Sequence, residues 1–192
     1  ATPIKKVEDF KGLKVKASRR TAMDIVETLG GIPLDMMVTE VYIALERGIL
    51  DAFVLPWEAT MAFKLHEVTK YRTEAPLGLW LDMLAVTMNW DSFNNLPPEV
   101  QKIIEESSGA EMSKFSGEAF DRADTEMRKA IIEIDKKVGK DPIYQVPESE
   151  FPKWVETVSP VNDLWLERMK AKGLPGESTL EDIRRLAKKY SQ

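Results

Sequence analysis

Cysteine is absent from this 192-residue chain, and histidine occurs once. The first absence excludes disulfides and thiolate metal sites; it fits a periplasmic protein, though many cytosolic proteins also lack cysteine. The second leaves no convergent ligand set for a metal and no partner for a nucleophile, so His66 reads as a surface or packing residue. Long apolar runs are missing too: none reaches the roughly 18–20 residues needed to cross a bilayer. The first residues, ATPIKKVEDFKG, contain no apolar h-region, so no signal peptide is expected within this sequence. There is no excess of positive charge, with 27 Lys and Arg against 32 Asp and Glu for a net charge of −5. Without a basic stripe interleaved with aromatics, nucleic acid is not an expected partner. No glycine-rich phosphate loop follows a strand-like run, and Gly30-Gly31 reads as a helix stop. Acidic pairs such as Glu105-Glu106 belong to solvated helix faces. Nothing positive supports an enzyme.

What is present is an ordinary globular composition, 43% hydrophobic and 31% charged, with enough chain for one domain or two small ones. The stretch that organises the rest runs from Thr39 to Trp57. Thr39 is placed to cap a helix, Glu40 puts a carboxylate in its first turn, and Val41, Ala44 and Leu45 share one face. Gly48 suits a left-handed helix stop. The period then changes: Ile49 to Leu55 is a compact apolar run ended by Pro56, as expected of a buried strand. The Leu55-Pro56-Trp57 corner therefore lies at a strand's carboxyl end, where open α/β sheets collect ligands.

In chain order, Leu13–Ala17 alternates like a one-faced strand, and Ser18 is placed to cap a helix through Ala22, Ile25, Val26 and Leu29. Ile32–Met37 reads as a second strand. A helix over 58–65 and a brief strand over 71–73 follow, and 77–89 reads as a long strand. Pro97-Pro98-Glu99 opens a helical pattern that keeps phase from Val100 to Val138 and is closed by Gly139. A straight helix of that length would reach roughly 60 Å, so it either kinks near Ser107-Ser108-Gly109 or spans two lobes. Ile143–Val146 is a short strand. Helices over 148–157 and 160–172 come next, the latter with Ser159 as cap, and Ser178-Thr179-Leu180-Glu181 reads as a capping box for the last helix. The alternation of strands and helices from Leu13 to Leu55 predicts an α/β fold with neighbouring strands in a mixed sheet.

Four separated motifs agree with one family. Glu40-Val41-Tyr42-x-Ala44-Leu45-x-x-Gly48-x-x-Asp51-Ala52 resembles a signature of the substrate-binding proteins of TRAP (tripartite ATP-independent periplasmic) transporters. Phe10-Lys11-Gly12-Leu13-Lys14-Val15, His66-Glu67-Val68-Thr69-Lys70-Tyr71 and Trp90-Asp91-Ser92-Phe93-x-x-Leu96-Pro97-Pro98-Glu99 lie around it in the family's order and at about its spacing. The DctP-like resemblance implies a periplasmic-binding-protein-like fold. Residues 1–9 would be a lead-in, 10–76 an α/β lobe, and 77–192 a lobe-crossing strand, long helix, short return strand and C-terminal helices of a partial second lobe. In the family a substantial first lobe precedes the Phe10 motif, so this chain is expected to hold only part of a receptor. The orphaned surface would then meet a missing-lobe chain or a second copy in a homodimer.

The resemblance also implies a function: a periplasmic receptor that binds a small organic acid between lobes and delivers it to a TRAP membrane permease, without cofactor or covalent step. The other reading is a non-transport binding or interaction module of the same fold with an altered cleft. For the site, Lys16 ends the first strand, with Ser18, Arg19 and Arg20 just beyond it, near free N–H groups that suit a carboxylate. The alternative is that these cations are simply solvated. The family commonly has an arginine where Lys16 stands, and lysine supplies the charge without the planar two-bond fork. Leu55 replaces a polar contact, and Val38 stands where the family often carries an aromatic. With Trp57 and Trp80, these residues imply a more apolar pocket in which a few polar groups fix orientation; Met61 reads better as core.

Overall fold

Val15 is fully buried while Lys14 and Lys16 on either side of it are not, so β1 (Lys14–Lys16) has one face in the core and one face outside it. In the computed structural model, which describes residues 2–75 and 84–190, the chain forms two compact units. The first comprises 2–54, 68–75 and 143–190, and the second 55–67 and 84–142. The chain enters the second unit at Leu55 and returns to the first at Ile143.

In the first unit, β1 is the middle of a three-stranded sheet, flanked by β2 (Ile32–Leu34) and β3 (Ala52–Phe53). Both pairings are parallel, with Lys16 opposite Leu34 on one side and Phe53 on the other. Pro33 is tolerated because β2 is an edge strand whose missing N–H costs no ladder bond. The α/β expectation therefore holds, while every described pairing is parallel where a mixed sheet was expected. The crossovers are α1 (Arg20–Thr28) and α2 (Val41–Glu46). Thr39 does not cap α2: it lies inside a 3-10 turn, Val38–Glu40, and the Glu40 carboxylate accepts a hydrogen bond from the Met37 N–H at 2.8 Å.

The core of this unit gathers Val15, Val26, Leu29, Val146 and Trp154, with Phe10 edge-on to Trp154 at 5.8 Å. Trp154 comes from α8 (Phe151–Val158), which lies with α9 (Pro160–Ala171) against α1. Asp24 of α1 is buried there, accepting from Arg20 Nε at 2.9 Å and from Arg168 of α9. At the surface Lys153 pairs with Glu8, which holds the Glu8 carboxyl below and the Lys153 ammonium above their ordinary values. A second parallel ladder joins β4 (Thr73–Glu74) to β5 (Tyr144–Gln145). Two expected caps are absent. Ser159 bonds back to Glu156 O at 2.8 Å, and α10 (Gly176–Tyr190) begins before Ser178, so Ser178 and Thr179 bond to the Pro175 carbonyl from inside the first turn.

The second unit is helical. α3 (Trp57–Ala62) packs on α7 (Ala110–Lys137), with α4 (Leu65–Val68) next in the chain, so the helix expected over 58–65 breaks at Lys64, whose φ is +56°. α5 (Trp90–Asn94) is capped by the Asn89 side chain, and α6 (Pro98–Glu106) starts on proline as expected. Gly109, at φ +78°, separates α6 from α7, which puts the break where Ser107-Ser108-Gly109 predicts it. α7 alone has 28 residues, about 42 Å of helix. Ile131, Leu65 and Thr60 are buried in this unit. The strand expected over 77–89 is not found where it can be read: 77–83 lie outside the described residues, and 84–89 are exposed and unpaired before Asn89 turns into α5. No helix among the described residues is long and apolar enough to cross a membrane.

Candidate functional site

Three parallel strands point their carboxyl ends the same way, and Lys16 is the last residue of the middle one. The preceding lysine on that face is already engaged. Lys14 donates its backbone N–H to Asp51 Oδ2 at 2.9 Å, receives the Asp51 N–H on its carbonyl at 2.9 Å, and reaches Gly48 O with Nζ at 3.5 Å. This gives the Gly48-x-x-Asp51 spacing a physical meaning: the turn at Gly48, with φ +68°, brings Asp51 to clamp β3 beside β1. Lys16, half-buried, makes no side-chain hydrogen bond or ion pair with the described residues. A cation that has lost part of its hydration without a counter-charge is prepared for an anion.

Around it the loops are held in place. Ser18 Oγ donates to Met36 O at 2.8 Å, and Ala17 N to Leu34 O at 3.0 Å, which pins the turn after β1 to the turn after β2. Ser18 is thus a tie between loops rather than a helix cap; the residue before α1 is Arg19, whose side chain does not cap the helix and has a partner of its own. Arg20 is committed to Asp24 and Glu27. Val38, half-buried, opens the 3-10 turn beyond β2. Lys16, Ser18 and Val38 are therefore brought to one end of one sheet. Leu55 and Trp57, also half-buried, follow the end of β3 and belong to the second unit, where Asp124 Oδ1 accepts the Trp57 N–H at 2.6 Å and caps α3. Trp80 lies outside the described residues.

Sequence reasoning missed three contributors. Phe53, read only as part of an apolar run, is opposite Lys16 in the sheet register. Asp124, not singled out in the sequence, reaches α3 across 67 residues of sequence, a pairing with no local signal. Glu58, also in α3, has a carboxylate oxygen, Oε2, that is shielded from water and has no hydrogen-bond partner among the described residues. No group of three or more potential metal ligands occurs among the described residues.

Comparison with known proteins agrees on one family. A family model described as bacterial extracellular solute-binding protein, family 7 (DctP) matches residues 1–168. The chain is 29% identical to the C4-dicarboxylate-binding periplasmic protein DctP of Rhodobacter capsulatus, over 88% of this chain and 49% of that protein. It is 28% identical to a solute-binding protein of Albidiferax ferrireducens, over 79% of this chain and 44% of the relative. The chain thus spans about half the length of the curated relatives it matches. Among solved structures, a TRAP solute-binding protein of Rhodoferax ferrireducens in complex with copurified benzoate superposes with a TM-score of 0.86 at 30% identity, covering 98% of this chain and 58% of that one. A TRAP periplasmic solute-binding protein of Bordetella bronchiseptica with bound (R)- and (S)-mandelate gives 0.83 at 29% identity, covering 97% and 58%.

Proposed function

Because the chain belongs to family 7 of the bacterial extracellular solute-binding proteins, we propose that it is part of a periplasmic TRAP receptor for an arene carboxylate, which it delivers to a membrane permease. The family is one of solute-binding proteins, which supports capture and release of a ligand as the role of this chain. The observation that carries the reading is Lys16, a half-buried cation without a partner among the described residues at the carboxyl end of a parallel sheet. It takes the ligand's carboxylate. Val38 supplies apolar contact at the same end of the sheet, and Ser18 ties the loop beside Lys16 to the turn after β2. Two relatives at 30% and 29% identity hold benzoate and mandelate, each a carboxylate on an aromatic body, which supports an arene over the dicarboxylate of the Rhodobacter relative's name.

Calorimetry on the full-length gene product with benzoate, mandelate and succinate tests this. The two aromatic acids are expected to bind more tightly than succinate. A charge-assisted hydrogen bond contributes about 1.5–3 kcal/mol, so Lys16→Ala should weaken binding of the aromatic acids by about ten- to hundredfold. Lys16→Arg should keep most of it. Unchanged affinity in Lys16→Ala would remove Lys16 from the site, and a clear preference for succinate would overturn the arene reading.

A further inference from the structure

We propose that the second half of α10, residues 183–190, docks on an anionic lipid surface and holds the protein against a bilayer. α10 is anchored at its start: Gly176 is buried against α9, where a Cβ would meet Met169 Cβ at 2.7 Å, and Leu180 one turn on is half-buried. From Glu181 to Tyr190 every residue is exposed. Yet this half of the helix is not polar all round. Leu180, Ile183, Ala187 and Tyr190 recur at helical spacing, with Leu186 on the border of the same stripe, and Tyr190 is 72% exposed. A helix standing in water with a bare apolar stripe is marginal until a partner covers that stripe.

The charge beside the stripe says what the partner is. Residues 183–190, IRRLAKKY, carry Arg184, Arg185, Lys188 and Lys189 and no acid, in a chain whose net charge is −5. Arg184 and Lys188 follow the stripe along one border and make no ion pair among the described residues. Arg185 pairs with Asp182 at 2.7 Å, but both are exposed, and such a pair is readily exchanged for a phosphate. Lys189 Nζ stands 5.0 Å from the centre of the Tyr190 ring. Cations in a last turn also answer the helix dipole, which accounts for their sign and not for the exposed stripe beside them. An apolar stripe bordered by cations and ended by a tyrosine suits a helix lying in the plane of a membrane interface. Its cations then meet lipid phosphates, and its apolar side chains the acyl boundary. The acidic remainder of the chain is repelled by the same surface, which fixes this helix as the part that touches it. Such a hold keeps a receptor close to its permease, whichever acid the receptor carries.

The test mixes the full-length gene product with vesicles of equal parts phosphatidylcholine and phosphatidylglycerol, or of phosphatidylcholine alone, and reads binding by flotation. Wild type should bind phosphatidylcholine alone at least about tenfold more weakly than the mixed vesicles. It should leave the mixed vesicles at about 1 M salt, where screening shortens to about 3 Å. A cation near an anionic surface contributes about fivefold in affinity, so Arg184→Glu with Lys188→Glu should weaken binding by more than about a hundredfold. Leu186→Ser with Tyr190→Ser should weaken it by about tenfold, at an unchanged melting temperature, since both side chains are exposed. Equal binding to the two vesicles, or either double variant binding as wild type does, overturns the proposal. So does a wild type that floats with neither vesicle; loss of self-association in the Leu186→Ser, Tyr190→Ser variant would then assign the stripe to a second copy. Each of these failures leaves the ligand reading untouched.

Discussion

Asp24 has no exposed side-chain surface, yet it carries the charge that two arginines answer. The two arginines are not equivalent, since the Arg20 side chain is 58% exposed and the Arg168 side chain 31%. Arg20 also binds Glu27 and sits on the same helix as Asp24, whereas Arg168 reaches from α9. Breaking a buried pair by removing one partner is costly because the remaining charge stays desolvated, while an exposed pair contributes little. Arg168→Met is therefore expected to destabilise the protein by about 2–3 kcal/mol and Arg20→Met by under about 1 kcal/mol, measured by urea unfolding. Equal losses would show that the helix-to-helix contact carries no special share. The helical phase of Ala22, Val26 and Leu29 was legible in the sequence, and all three are buried. That Asp24 joins them was not legible, because its partner Arg168 lies 144 residues away.

At the scale of elements, the join between α1 and β2 is tightly packed. A Cβ on Gly31 would meet Val26 Cγ1 at 2.9 Å and the Leu13 and Val26 carbonyl oxygens at 3.3 Å. Val26 is fully buried and cannot swing aside. Gly31→Ala is accordingly expected to cost about 1–3 kcal/mol through overpacking, seen as a melting temperature lower by roughly 2–10 °C for a chain of this size. An unchanged melting temperature would mean that the turn relaxes freely. Gly30-Gly31 announced this stop by composition alone, as Gly109 did the break within the long helical pattern and Gly139 its end. The caps were less legible. Thr39, Ser159 and Ser178 are all good N-cap residues, but each lies where the chain is already turning or helical, and its hydroxyl or backbone is used otherwise. Capping propensity is a local signal, and a preceding 3-10 turn or helix overrides it.

At the scale of the whole molecule, the second unit exposes more apolar surface than a lone protein ordinarily keeps. Trp90 is 71% exposed, Phe115 and Ile103 62% each, and Leu84, Met112 and Phe120 are exposed as well. The chain spans about half the length of its curated relatives, and we propose that further receptor chain, or a second copy, covers these faces. Apolar patches beyond a few hundred Å² are rarely left bare on monomers. The 192-residue chain by itself is expected to run in light scattering above its monomer mass of 21.8 kDa, and to become a single species when the remainder of the receptor is supplied. A monodisperse monomer that binds an aromatic acid tightly on its own would contradict this.

The sequence by itself determined the family, the order of strands and helices from Leu13 to Phe53, and the break in the long helix. These depend on local period, on glycine, and on motifs short enough to be read along the chain. The tertiary structure decided what distance in sequence conceals. It set the parallel register that places Phe53 opposite Lys16, the clamp of Asp51 on Lys14, and the return of the C-terminal helices to α1. It also decided which charges are already spent: Arg20 on Asp24 and Glu27, Lys14 on Gly48, and Lys16 on none of the described residues. The physical reason is that a side chain's availability depends on its partners and its burial, and both are properties of the folded contact rather than of the residue.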